Sequence, residues 1–224
     1  MTKTAPTSPS PGHAAPRLDK LNRLERQAEA KSAKRARRKD ELADHAVAAL
    51  KQLGYARTSL RDIAEMSGVA VGTLHYYFED KVDLITYCVQ RYKIGFLEEM
   101  EAILASDASA PELSQRFAQG LAQSIRQDAA THRLWYDIRN QAGFDPAFLP
   151  VVGEIETALS GLIRKLVLRM GGSEDKTDLV YLMLDATFRT AVQGVLAGDA
   201  RALDQFEARA QNLLPRLLQP GTTG

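Results

Sequence analysis

Beyond residue 80, apolar side chains recur every three or four positions along successive segments, the period of a helix that buries one face. This periodicity predicts helices over 80–106, 111–128, 131–141, 146–170, 174–197 and 203–218, with a late kink at Pro215. The predicted stops are the Ala-Ser-Asp cluster at 105–109, Gly143, Gly171 with Gly172, and Gly198. Pro111 and Pro146 stand where a first-turn proline is tolerated, because its missing N–H would have no partner there. Upstream, Leu42, Ala46, Ala49, Leu50 and Leu53 share one helical stripe that ends at Gly54, and stable helix is expected from about Ala33. No segment shows the period-two alternation of a strand, so the predicted fold class is all-α, with about nine helices.

Between Ser59 and Phe78 the pattern shortens. Ser59 followed three residues later by Asp62 reads as a capping box, with Asp in place of the usual Glu or Gln. Leu60, Ile63 and Ala64 face inward, Gly68 supplies a stop, and Val71–Tyr77 form a second short helix. Two brief helices around a Gly-containing turn have the dimensions of a helix-turn-helix.

The net charge of +1 conceals a strong asymmetry. Residues 1–39 hold eleven Lys/Arg against three Asp/Glu, a balance of +8; the remaining 185 hold eighteen against twenty-five, a balance of −7. A basic arm on an acidic body suits a polyanion partner, although a solubilising tail has the same composition. Four prolines within residues 1–16 predict disorder there, and Leu18, Leu21 and Leu24 make only a thin apolar stripe. The apolar runs at 155–168 and 179–196 are interrupted by Glu156, Arg164, Lys165, Asp185 and Arg189, so no membrane span is expected. The single Cys88 forms no internal disulfide, and the first residues lack the apolar stretch of a secretory signal, which favours the cytoplasm.

Catalytic readings find little support. His13, His45, His75 and His132 are scattered, none at metal-ligand spacing with Cys88 or a carboxylate, and no Gly-rich phosphate loop follows a strand. Glu98, Glu99 and Glu101 read as a solvated helix face. The expectation is a protein without catalytic residues, metal or cofactor.

The run Thr58-Ser59-Leu60-Arg61-Asp62-Ile63-Ala64, then Ser67-Gly68-Val69-Ala70-Val71-Gly72-Thr73-Leu74-His75-Tyr76-Tyr77-Phe78, then Lys81 and Leu84, resembles the DNA-binding signature of the TetR family. The likeness is close from Leu42 to about Leu84 and elsewhere extends only to the helical layout. It implies a transcription regulator, by family default a repressor, whose second short helix enters the major groove. Gly72 and Thr73 would let that helix approach the DNA, its N-terminus attracting phosphate. The resemblance places Arg38, Lys39, Ser59, Arg61, Val71, Gly72, Thr73, His75, Tyr76 and Lys81 at the DNA. His75 departs from the commoner Tyr and makes affinity pH-sensitive; Tyr77 and Phe78 read as core. The basic run Lys34, Arg35, Arg37, Arg38 and Lys39 adds salt-dependent phosphate contacts, an anionic membrane surface being the alternative target.

The resemblance divides the chain into a largely disordered basic arm (1–32), a helix-turn-helix domain (33–80), a ligand-binding and dimerisation domain (81–218) and a short tail (219–224). An unidentified small-molecule effector is expected among Tyr92, Phe96, Met100, Phe117, Trp135, Tyr136, Phe144 and Phe148, with Arg139 and Asn140 as polar groups. Trp135 and Arg139, four apart, have stacking on each other as the alternative. The segment 134–141 is similar to sensing domains of the betaine-regulator type. The segment 174–197 is apolar almost all round, so more than one face must be covered. A TetR-like homodimer would pair the last two helices through Leu182, Phe188, Val192, Val195, Leu203, Phe206, Ala210, Leu213 and Leu217, setting two heads on a palindromic operator. A constitutive DNA-binding protein without effector and an all-α small-molecule-binding protein are the alternative functions.

Overall fold

A computed structural model describes residues 15–218, with side chains from Arg23 onward except Leu24. Of the arm expected to be largely disordered (1–32), residues 1–14 lie outside the described residues and the remainder is helical; the tail at 219–224 and the side chains of Leu18, Leu21 and Leu24 also lie outside them. All regular structure in the described residues is helical: α1 (Ala15–Leu53), α2 (Leu60–Met66), α3 (Val71–Tyr77), α4 (Lys81–Leu104), α5 (Ala110–Gln141), α6 (Leu149–Arg169), α7 (Thr177–Leu196) and α8 (Ala202–Leu218). Single 3₁₀ turns at Pro146–Phe148 and Glu174–Lys176 lead into α6 and α7. The fold is all-α as the periodicity predicted.

Contacts separate the chain into residues 1–42 and 43–224. In the first unit, α1 begins at Ala15, well before the expected Ala33; its Ala, Glu, Arg and Lys content favours helix without needing burial. The side chains at 25–37 are exposed, and Arg38 Nη1 donates to Glu41 one turn on at 2.7 Å.

In the second unit, α5 is the central element, packed on α4, α7 and α8, while α6 covers α4 and α7. The two helices predicted at 111–128 and 131–141 form one element kinked at Asp128, whose backbone is non-helical (φ −157°, ψ 64°). There the Asp128 carboxylate accepts from Thr131 N at 3.1 Å, the bond an N-cap makes, so the second half of α5 starts as a new helix would. Lys51 of α1 pairs with the same carboxylate, and Arg133 donates to the Lys51 carbonyl at 2.9 Å, fixing the end of α1 on the kink. The segment Pro146–Arg169 is long and apolar enough, by length and composition, to cross a membrane, against the expectation above. Val151, Ile155, Leu159, Leu162, Ile163, Leu166 and Val167 are buried inside the helical body, while Leu149 and Leu168 are exposed. α8 continues through Pro215 to Leu218.

Candidate functional site

Two regions gather the predicted functional residues: the surface of α3 and the interior enclosed by α4 to α7. The capping box of α2 forms as read. Ser59 Oγ accepts from Asp62 N at 3.2 Å, and the Asp62 carboxylate accepts from Ser59 N at 2.7 Å. The Ser59 hydroxyl also donates to the Asp62 carboxylate, and this bond, followed by that from Ser59 N, holds the Asp62 carboxyl below the ordinary Asp value. The Ser59 side chain is thereby engaged in a cap, a role other than the expected DNA contact. Ile63, Ala64, Leu74 and Phe78 are buried and lock α2 and α3 together. Between them Gly68 adopts φ +63°, a left-handed turn where a Cβ would be strained, and Val69 N closes back on Ala64 O at 3.0 Å.

The opposite face of α3 is open. Gly72, His75 and Tyr76 are exposed, Val71 and Thr73 half-buried, and nothing lies within 4 Å of the place a Gly72 side chain would occupy. Arg61 on α2 is exposed as well. Lys81 differs from its expected role: its ammonium donates to the Tyr55 carbonyl at 2.7 Å and lies 4.2 Å from the Tyr55 ring centroid, and burial lowers its pKa. It ties the turn after α1 to the start of α4. Arg38 and Lys39 belong to the first unit.

Of the residues expected around a ligand, Phe96, Phe117, Trp135 and Tyr136 line one cavity of about 50 Å³, together with Leu121, Leu159, Leu162, Ile163 and Leu184. Tyr92 lines an adjoining open cleft of about 550 Å³, with Phe96 shared between the two. Met100 and Phe148 are core, Phe148 edge-on to Tyr55 with centroids 5.7 Å apart. Phe144 (86% exposed) and Asn140 correct the expectation: both face solvent, Phe144 because the chain has left α5 for the turn before α6. Arg139 does not stack on Trp135. It reaches across the helices, Nη1 donating to Asp185 at 2.8 Å and Nε lying 2.8 Å from Glu156 Oε1, an ion-pair contact without hydrogen-bond alignment. Arg189 instead lies over the Tyr136 ring, at 5.6 Å.

Sequence reading missed the charged and hydrogen-bonding half of this interior. Lys93, 3% exposed, projects from α4 into the cavity wall, its ammonium 4.9 Å from the Trp135 centroid, 5.0 Å from Phe96 and 5.6 Å from Tyr92. Burial lowers its pKa from 10.5 to about 7, against the opposing pull of Asp185 and Glu156. Tyr136 donates to Asp185 Oδ1 at 2.9 Å and Tyr181 donates to Glu156, so both carboxylates already have partners. His132 is fully buried, with the Tyr92 hydroxyl 2.7 Å from Nδ1; burial and the nearby Lys93 charge push its pKa down to about 3. Helical phase was the available signal, since Val89, Lys93, Phe96 and Met100 all fall on the inner stripe of α4.

Among the described residues no cluster of three or more His, Cys, Asp or Glu side chains has metal-binding geometry. Residues 42–88 match the family model for bacterial regulatory proteins of the tetR family, which spans the capped α2, the Gly68 turn and the open α3. Through this segment the chain is similar to the TetR family. It is 32% identical over 72 residues to the fatty acid metabolism regulator protein of Bacillus subtilis, a match covering 32% of this chain and 37% of that protein. It is 26% identical over 100 residues to the HTH-type transcriptional regulator BetI of Proteus mirabilis, covering 44% and 50% respectively. These alignments thus reach no more than half the length of either relative. The fold extends further than the alignments: the Bacillus subtilis transcriptional regulator FadR, solved in complex with stearoyl-CoA, superposes with a TM-score of 0.62 at 21% identity, over 80% of this chain and 97% of that one.

The expected TetR-like pairing face also needs correction. Phe188, Val192, Phe206 and Ala210 are buried within the chain's own core, because α5 and α8 already cover that side of α7. Val195, Leu203, Leu213 and Leu217 are half-buried. The outward apolar side chains of α7 are Leu179, Leu182 and Met183 near its start and Leu196 at its end, with Leu182 the most open at 60%.

Proposed function

We propose that this chain is a TetR-family, sequence-specific DNA-binding transcription regulator, acting in the cytoplasm as a homodimeric repressor that a small-molecule ligand releases from a palindromic operator. The observation that carries the proposal is the outer face of α3, where Gly72, Thr73, His75 and Tyr76 present donors and a close backbone approach on a unit locked from behind by Ile63, Ala64, Leu74 and Phe78. A rigid short helix with one buried and one open polar face is what major-groove reading requires. The regulators it resembles, and FadR with stearoyl-CoA bound, support ligand response.

The exposed apolar cluster of Leu179, Leu182 and Met183 on α7 supplies the dimer contact, because such a patch is unfavourable in water and pairs isologously with a second copy. Release is two-state linkage: ligand in the α4–α7 interior favours a spacing of the two heads that fits the operator poorly. The basic run at Lys34, Arg35, Arg37, Arg38 and Lys39 adds sequence-independent phosphate attraction on charge grounds.

A mobility shift on the DNA flanking the chain's own gene, titrated with salt, tests this. The double variant Thr73→Ala, His75→Ala loses at least tenfold in specific affinity while remaining a dimer; unchanged affinity refutes the assignment of α3.

A further inference from the structure

Lys93 shares the cavity wall with Asp185 but does not hydrogen-bond to it. It is 3% exposed, and among the described residues no oxygen accepts a hydrogen bond from its ammonium, whose neighbours are the faces of Trp135, Phe96 and Tyr92. Asp185 and Glu156 are each held by Arg139 and by a tyrosine hydroxyl. A methionine of similar length would fill the same space without desolvating a charge, so packing does not explain a lysine here. Besides Asp185, Tyr136 and Tyr181, the rest of the cavity wall is hydrocarbon, including Leu121 on α5 and Leu159, Leu162 and Ile163 on α6.

We infer that the cavity takes a monocarboxylate with an apolar body, its carboxylate accepting from Lys93 Nζ and its hydrocarbon lying against Leu121, Leu159, Leu162 and Ile163. The inference rests on the ligand-responsive reading above and names the class of ligand. The Asp185 carboxylate on the same wall is already taken up by Arg139 and the Tyr136 hydroxyl, so the charge left for a ligand is that of Lys93: it repels a cation, and a neutral alcohol leaves the ammonium without a charged partner. An acid entering in its protonated form gives its proton to the Lys93 amine, so the carboxylate and ammonium form together and the cavity gains no net charge. The present volume of about 50 Å³ is well below that of ordinary ligand pockets, so the walls part on binding. Phe96, which separates the cavity from the open cleft beside Tyr92 and Gly95, is the side chain whose rotation joins them.

The single tryptophan, Trp135, lines this cavity and reports on it directly. Its fluorescence is titrated in the full-length dimer with sodium hexanoate, octanoate and decanoate, with the matching 1-alkanols, and with octylamine. The expected result is a saturable response to a carboxylate at least tenfold tighter than to its alcohol or to the amine, a preference that Lys93→Met abolishes while circular dichroism stays native. Equal binding of acid and alcohol, tighter binding of the amine, no saturable response to any carboxylate, or a preference retained in Lys93→Met overturns the inference. No DNA enters this readout, so the ligand class can fail while operator binding stands, and the reverse is equally visible.

Discussion

Replacing Lys93 by Met exchanges a buried ammonium for a thioether of similar length, and the structure sets the size of the effect. The displacement of the Lys93 pKa from 10.5 to about 7 corresponds to about 5 kcal/mol, at ~1.36 kcal/mol per pH unit. Because the folded value lies below the unfolded one, the unfolded chain holds the extra proton between pH 7 and 10.5, and wild-type stability rises across that window. Below it the burial cost is fully present. The ring contacts to Trp135, Phe96 and Tyr92 recover part of that cost, on the order of 0.5–2 kcal/mol each. Lys93→Met is therefore expected to be more stable than wild type at pH 6–7 by up to roughly 3 kcal/mol, a Tm increase of up to about 10 °C for a domain of this size. Urea unfolding at pH 6, 7, 8, 9 and 10, at matched protein concentration, measures the advantage. It should be constant below about pH 7 and shrink by about 1.4 kcal/mol per unit above it. A variant less stable than wild type at pH 7, or an advantage independent of pH from 7 to 10, refutes the assignment of Lys93 as a buried, unpaired amine. Confirmed, the result means that the chain retains a destabilising lysine where a neutral residue packs better, as expected of a site kept for binding.

Two further outcomes follow from the same interior and from α7. His132 has its pKa pushed from 6.5 down to about 3, so the unfolded chain takes up a proton that the folded one refuses; stability falls as pH drops through that window, and His132→Gln flattens the fall in unfolding curves collected from pH 7 to 4. Leu182→Asp, at the most exposed point of the outward α7 cluster, converts the dimer into monomers by sedimentation velocity with little loss of helicity, whereas a dimer that persists moves the interface elsewhere.

The head was legible because its constraints are local. A cap needs Ser59 and Asp62 three residues apart, a left-handed turn needs Gly68, and both can be read without knowing what packs on them. The body gave its helices and their stops but not its phases. In α7 apolar residues surround the helix, so composition required two covered faces without saying that Phe188 and Val192 turn inward while Leu182 and Met183 turn out. Asp128 with Thr131 was read as a break between helices, and the backbone does break there: Asp128 is non-helical and its carboxylate caps the second half, the two halves meeting at a kink within α5. The interior polar cluster was the least legible part. Arg139 was found, but its partners Glu156 and Asp185 lie on α6 and α7, separated in sequence by a distance that no spacing rule covers. Lys93 was passed over because a lysine is ordinarily exposed, although its phase on α4 is that of Val89 and Phe96.

The most direct test of the central claim is a footprint of the purified protein on the DNA flanking its own gene. The account predicts one two-fold symmetric protected site, its half-sites about one helical turn (~34 Å) apart, lost in the Thr73→Ala, His75→Ala variant. Protection without symmetry, or binding that is indifferent to sequence and vanishes at moderate salt, contradicts it.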